Sequence, residues 1–369
     1  MHLYRRGDVG PAIAEMRAKL AALGLLPVDG SEAFDDDCDR AIRGFQQARG
    51  LRVDGLVGPE TYRTLDEARW QLGDRVLSFS VTHPFVGDDV AELQHRLLDL
   101  GFDAGRSDGI LGPRTATALR EFQRNVGLVA DGTCGPKTLR ALRQLSRTVT
   151  GGRPDMMREE MRLLAGGAAL AGKVVVIDPG HGDRDRGAQG HGLDEAGVVE
   201  DLAARLEGRL GAVGVAAYLT RGSDNGPADE IRAQFANNAG ADLLVSLHSD
   251  AAPSPGCNGV ATFYYRGTRG GSAVGERLAD LVRGEIVART DLLDCGTHPK
   301  TWELLRLTRM PAVRVEVGYL TNPGDAARLG APEFRDTIAE AIVAGIRRLY
   351  LPRDLDVSTG QLALPALAS

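Results

Sequence analysis

The chain has 369 residues, more than one compact core usually holds, so two or three domains are expected. Its 43% hydrophobic and 25% charged residues fit a globular protein, and a net charge of −6 argues against a dedicated nucleic-acid binder. Four scattered cysteines, Cys38, Cys134, Cys257 and Cys295, form no CxxC pair, which argues against a cysteine-built zinc knuckle or a dense disulfide framework and predicts reduced, mostly buried thiols.

At the N-terminus, Arg5 and Arg6 are followed by no apolar run. The apolar stretch from Leu163 to Ile177 is too short to span a bilayer and is interrupted by glycine and Lys173. No secretory leader or membrane span is therefore expected. A cytoplasmic location follows as the expectation, with the wall or the medium as the alternative if export uses another route.

The first half repeats itself at an offset of 77 positions: Phe45-Gln46 returns as Phe122-Gln123, and Asp54-Gly55 with Gly58-Pro59 returns as Asp131-Gly132 with Gly135-Pro136. The same offset carries Ile13, Met16, Leu20 and Gly24 onto Val90, Leu93, Leu97 and Gly101. So many matches in one register mark a duplication. Apolar residues at 13, 16, 20 and 23 share one helix face, which Gly24 ends. A second helix carries Ile42 and Phe45 and stops at Gly50. Pro59 then opens a third, where a missing N–H costs nothing. Each repeat is thus predicted to be a small three-helix unit, 1–70 and 83–147.

The run from the Gly-Asp start through Leu-Gly-Phe, Phe-Gln and Asp-Gly-x-x-Gly-Pro-x-Thr resembles the peptidoglycan-binding repeat of bacterial wall hydrolases, more closely in the second copy. In the first, Ser31-Glu32-Ala33-Phe34 stands where Asp108-Gly109-Ile110-Leu111 forms the turn. Generic helical packing modules remain the alternative.

Residues 148–172 read as a linker containing a short helix. From Lys173 the pattern changes to apolar strands alternating with amphipathic helices, including Val174–Ile177, Leu243–Leu247 and Ala312–Val317. That alternation predicts an α/β domain with a largely parallel sheet over 173–351, followed by an aperiodic, loosely ordered tail, 352–369. The whole is a multidomain chain: two all-α repeats, then an α/β domain.

Three chemically capable groups arrive at predicted strand ends: His181 in Asp-Pro-Gly-His-Gly, His248 in Ser-Leu-His-Ser, and Glu316 in Val-Glu-Val-Gly-Tyr. The carboxyl ends of such strands form the ligand crevice of open α/β sheets. Glu195, 14 residues after His181, opens a helix with apolar face Val198, Leu202, Leu206, Leu210 and Val213. Two imidazoles and a carboxylate, His181, Glu195 and His248, make a sound zinc set with one position open. His191 stays a rival ligand, and Glu195 could instead be a first-turn acid favoured by the helix dipole. His298 beside Pro299 is expected to be a solvated loop residue. His2, His83 and His95 lack metal-like spacing. Gly180, Gly182 and Gly187 could cradle a phosphate, but no phosphate-loop motif follows.

Asp-Pro-Gly-His-Gly, Gly-Leu-x-Glu, Ser-Leu-His-Ser and Val-Glu-Val-Gly-Tyr-Leu-Thr-Asn resemble, in order, the signatures of the N-acetylmuramoyl-L-alanine amidases. The resemblance covers about 173–350. It implies that His181, Glu195 and His248 bind zinc and that Glu316 acts as general base and then acid. Asp183, Arg186 and Asp250 depart from the family's usual Gly, Pro and Asn. The implied activity is zinc-dependent cleavage of the bond between N-acetylmuramic acid and L-alanine, with peptidoglycan or muropeptides as partner. The layout also resembles the CwlM-like proteins of actinobacteria. That keeps open a non-catalytic or gated intracellular regulator of precursor synthesis with a protein partner. A phage endolysin is a further alternative.

Overall fold

The computed structural model describes residues 3–145, 154–267, 270–352, 356 and 359–362. Two compact units divide it, Met1–Arg158 with Arg266–Gly271, and Glu159–Tyr265 with Ser272–Ser369. Gly151, Gly152 and Arg153 of the expected linker, His2, and much of the expected tail lie outside the described residues.

In the first unit, α1 (Pro11–Ala22), α2 (Asp36–Ala48) and α3 (Pro59–Ala68) form one repeat. β1 (Leu77–Ser78), α4 (Asp88–Asp99), α5 (Pro113–Asn125), β2 (Thr133–Cys134) and α6 (Pro136–Leu145) form the next. Ile13, Met16, Leu20, Ile42 and Phe45 meet in one core, and Val90, Leu93, Leu97, Leu119 and Phe122 in the other. The duplication extends to backbone pairing, with a bridge of Val9 to Ala33 and another, 77 positions on, of Val86 to Ile110.

A buried glutamine organises three of the four turns. Gln123 donates to Asp131 Oδ1 (2.8 Å), the Thr133 carbonyl (3.0 Å) and Thr138 Oγ1 (3.1 Å), and its own carbonyl accepts from Gly132 N (2.8 Å). Gln46 makes the corresponding bonds to Asp54, Leu56, Thr61 and Gly55. Within the second repeat Gln94 does the same for the turn at Asp108, Gly109, Ile110 and Thr115. Arg17 occupies the position equivalent to Gln94. It bonds the Ala33 carbonyl (3.0 Å) and Asp35 (2.9 Å) and pairs with Asp29. The altered turn of the first copy is therefore matched by an altered organiser.

The second unit begins in α7 (Pro154–Ala165), the short helix expected in the linker. It continues through β3 (Val174–Pro179), the hairpin β4 (Gln189–Gly190) and β5 (Leu193–Asp194), α8 (Glu195–Ala212), β6 (Ala216–Leu219), α9 (Asp229–Asn238), β7 (Leu243–Asp250) and β8 (Val260–Tyr265). α10 (Ala273–Arg289), β9 (Asp294–Lys300), α11 (Glu303–Leu307), β10 (Ala312–Tyr319), α12 (Pro323–Gly330) and α13 (Pro332–Tyr350) complete it.

The six-stranded sheet runs β6-β3-β7-β10-β8-β9. Every adjacent pair is parallel except β10 with β8. Alternate residues face opposite sides: Val175, Ile177, Val245 and Val315 pack with Leu202 of α8, Val282 of α10 and Ile342 of α13, whereas Val176 and Leu244 pack with Ala233 and Ala236 of α9 and Leu304 of α11. Both faces are covered, which is why these strands read as continuous apolar runs.

Described residues of the tail reach back to α13 and α10. Arg348 pairs with Asp356 (2.7 Å) and with the fully buried Glu285 (2.9 Å), which also accepts from Gly360 N (3.1 Å). His298 lies on edge strand β9, exposed, rather than in a loop, with its ring 5.7 Å from that of Phe263. No described cysteine is in a disulfide; Cys38 and Cys134 are buried, Cys257 and Cys295 half-buried. Burial pushes the Cys38 thiol up to about 11 and that of Cys134 to about 12.

Candidate metal centre

Parallel pairing of β3, β7 and β10 brings their carboxyl ends together, and register places Glu316 beside His248. Asp194 caps α8 by accepting from Gly197 N (2.9 Å), so Glu195 enters the helix at its first turn, where an acid is favoured. There its side chain is 3% exposed, between two imidazoles: Oε1 lies 2.8 Å from His248 Nδ1, and Oε2 lies 3.0 Å from His181 Nε2. One ligand atom from each of His181, Glu195 and His248 lies within 4.8 Å of the others. The two rings meet edge to face at 5.3 Å.

The backbone is shaped for this approach. A Cβ on Gly180 would fall 2.1 Å from His248 Cε1, and one on Gly187 would fall 2.4 Å from Glu195 Oε2. Gly180 and Gly187 thus admit the three side chains, whereas a Cβ on Gly182 would meet the Asn225 carbonyl (2.4 Å) and Arg221. His181 itself has φ +58°, a left-handed conformation that is costly for a residue with a Cβ. Two buried arginines hold it. Arg221 donates to the Pro179 and Gly180 carbonyls (2.9 and 3.0 Å), and Arg232 to the carbonyls of Pro179 (2.7 Å) and His181 (2.6 Å). Arg232 also pairs at 2.8 Å with buried Asp178, which accepts from Thr220 and Ser246. Burial opposes ionisation of Asp178, but Arg232 and these hydroxyls keep its carboxyl below the usual range.

Burial likewise works against a charged Glu195, yet the contacts with His181 and His248 prevail and hold it well below an ordinary carboxylate. The same contact with Glu195 raises the His181 imidazole, against burial. Asp185 Oδ2 lies 2.8 Å from His181 Nδ1, which leaves Nε2 turned toward Glu195. Carboxylates in that role orient metal-binding imidazoles.

Glu316 is 7% exposed. Its Oε1 accepts from Arg314, while Oε2 is buried with no hydrogen-bond partner among the described residues. The structure thus gathers His181, Glu195, His248 and Glu316 at one place. His191 is exposed in the β4–β5 turn and outside the group. Sequence reasoning missed Asp185 and Arg314. Arg314 had a signal, since residues two apart on a strand share a face.

A family model described as N-acetylmuramoyl-L-alanine amidase matches residues 175–348, and a peptidoglycan binding domain model matches 9–65 and 86–142. The chain is 47% identical to the N-acetylmuramoyl-L-alanine amidase CwlM of Mycobacterium tuberculosis, over 98% of this chain and 93% of that one. It is 35% identical to the amidase LytC of Bacillus subtilis, over 49% of this chain and 36% of that one. Among solved structures, the amidase AmiC2 of Nostoc punctiforme aligns with a TM-score of 0.45 and 36% identity, covering 48% of this chain and 96% of its own.

Proposed function

The chain belongs to the N-acetylmuramoyl-L-alanine amidase family, and from that premise we propose that it hydrolyses the amide joining N-acetylmuramic acid to L-alanine, with zinc held by His181, Glu195 and His248 and with Glu316 as acid–base. The observation that carries this reading is the convergence of His181, Glu195 and His248 beside a buried carboxylate oxygen with no hydrogen-bond partner among the described residues. Two imidazoles and one carboxylate match the donor set of a hydrolytic zinc site. When bound, zinc polarises the scissile carbonyl and brings water toward a neutral pKa.

The remaining chemistry falls to the chain. Asp185 and Glu195 orient His181, and Arg221 and Arg232 hold its loop ready. Glu316 Oε2 receives the proton of the attacking water as the C–O bond forms. The same oxygen returns it to the alanine nitrogen as the C–N bond breaks. The products are glycan with a free lactyl carboxylate and peptide with a free L-alanine amine. The repeats support the same reading, since a peptidoglycan binding domain model matches both of them.

Digestion of purified muropeptides with and without zinc, read by mass spectrometry, tests this. Separated glycan and L-alanine-terminated peptide are expected only with zinc. Intact muropeptides after incubation with zinc-loaded protein would refute it.

A further inference from the structure

We propose that Arg314 is a positioning residue for Glu316, fixing its carboxylate so that Oε2 alone faces the reacting groups; this rests on the amidase reading above. Arg314 and Glu316 are two residues apart on β10 and therefore project from the same face of the strand. Both Nε (2.8 Å) and Nη2 (2.6 Å) of Arg314 reach the same oxygen, Oε1. The other oxygen is buried and has no hydrogen-bond partner among the described residues. A glutamate side chain has several rotatable bonds, so a lone carboxylate would sample many orientations. A planar guanidinium contacting one oxygen through two nitrogens restricts them, and an ammonium cannot copy that fork.

The guanidinium is itself held. It lies 4.5 Å from the centre of the Trp302 ring, which packs 4.7 Å from Phe263, and Phe263 is the β8 register partner of Arg314. Trp302 and Arg314 thus make a stacked support ending at Glu316. Neither residue belongs to the ligand cluster, so loosening them leaves the His181, Glu195 and His248 donor set intact.

The test combines kinetics with crystallography. Arg314→Met is expected to lower kcat about 10–100-fold, the usual scale for loss of an orienting partner. KM and zinc content should hold. Arg314→Lys should recover part of the loss, and in a Glu316→Gln background Arg314→Met should add nothing, because it acts through that one carboxylate. In crystals of Arg314→Met the Glu316 carboxylate should leave its present orientation. Wild-type kcat in Arg314→Met, additive losses in the double variant, or an unmoved Glu316 would each overturn the proposal. Should Arg314→Met fail to fold, Arg314→Lys and Trp302→Leu carry the same measurements. Zinc-loaded wild-type protein that leaves muropeptides intact would refute the amidase reading instead, and the crystal orientation of Glu316 would still decide what Arg314 does.

Discussion

The glutamine-centred turns of the repeats and the ends of β3, β7 and β10 treat buried polar groups in opposite ways. In three of the four repeat turns a glutamine amide is saturated: Gln123 meets three acceptors and one donor, and Gln46 and Gln94 do likewise. At the ends of β3, β7 and β10, Glu195 bridges two imidazoles, His181 sits in a strained conformation, and Glu316 leaves one oxygen unpartnered. A saturated network defines a shape. An unsaturated one is poised for a ligand or a proton.

The sharpest way to break this contrast is to remove a ligand. His181→Ala or His248→Ala should cost the protein nearly all its zinc and its turnover, since two remaining donors hold the ion poorly; metal analysis of both variants checks this, and full occupancy would refute the assignment. Glu316→Gln comes next. It keeps the shape but cannot accept a proton, so turnover should fall about 10²–10⁴-fold, or roughly 3–5 kcal/mol of barrier, with zinc retained. Near-normal turnover in single-turnover kinetics would remove Glu316 from the mechanism.

Much of this contrast was legible in the sequence. The period of 77 predicted two like units, and both Val9–Ala33 and Val86–Ile110 pair as that offset requires. The apolar runs predicted β3, β7 and β10, whose ends carry His181, His248 and Glu316. The far side of the sheet was not read. β9, Asp-Cys-Gly-Thr-His-Pro-Lys, contains glycine and proline and looks like a loop; it is an edge strand, where proline is tolerated. β8, with Val260, Thr262, Phe263 and Tyr264, did carry a strand signal. Asp185 was hidden for a different reason. It meets His181 only because a loop with φ +58° at His181 and +53° at Asp183 folds back, and no periodicity encodes that.

Within the repeats the expected effects are smaller and fall on stability. Gln123→Ala strips four hydrogen bonds and leaves Gly132 N and Thr138 Oγ1 without this partner in a buried turn. Each such deficit costs about 1–3 kcal/mol, and the groups are shared, so a total near that range is expected. Urea unfolding followed by far-UV circular dichroism should show the loss, and muropeptide turnover should not change. A turnover defect as large as that of Glu316→Gln would erase the distinction between the two regions.

The smallest effect concerns the link between the repeats. Arg49 at the end of α2 pairs with Asp88 at the start of α4 through two bonds, 2.9 and 2.8 Å, and its guanidinium also lies 5.4 Å from the Phe45 ring centre. Asp88 is favoured there by the α4 dipole even without Arg49. Both side chains keep some solvent contact, 16% and 34% exposed, so the pair competes with hydration. Arg49→Ala should then cost about 1 kcal/mol or less. Its informative consequence is cooperativity. If this pair couples the repeats, the variant should melt over a broader range in calorimetry while each core stays intact, because Ile42 and Phe45 pack in one core and Val90 and Leu93 in the other. An unchanged single transition would show that the remaining contacts suffice to join the two repeats, among them Arg75, which lies over the Trp70 ring and pairs with Asp89 (2.7 Å), and that the Arg49–Asp88 pair only decorates their boundary.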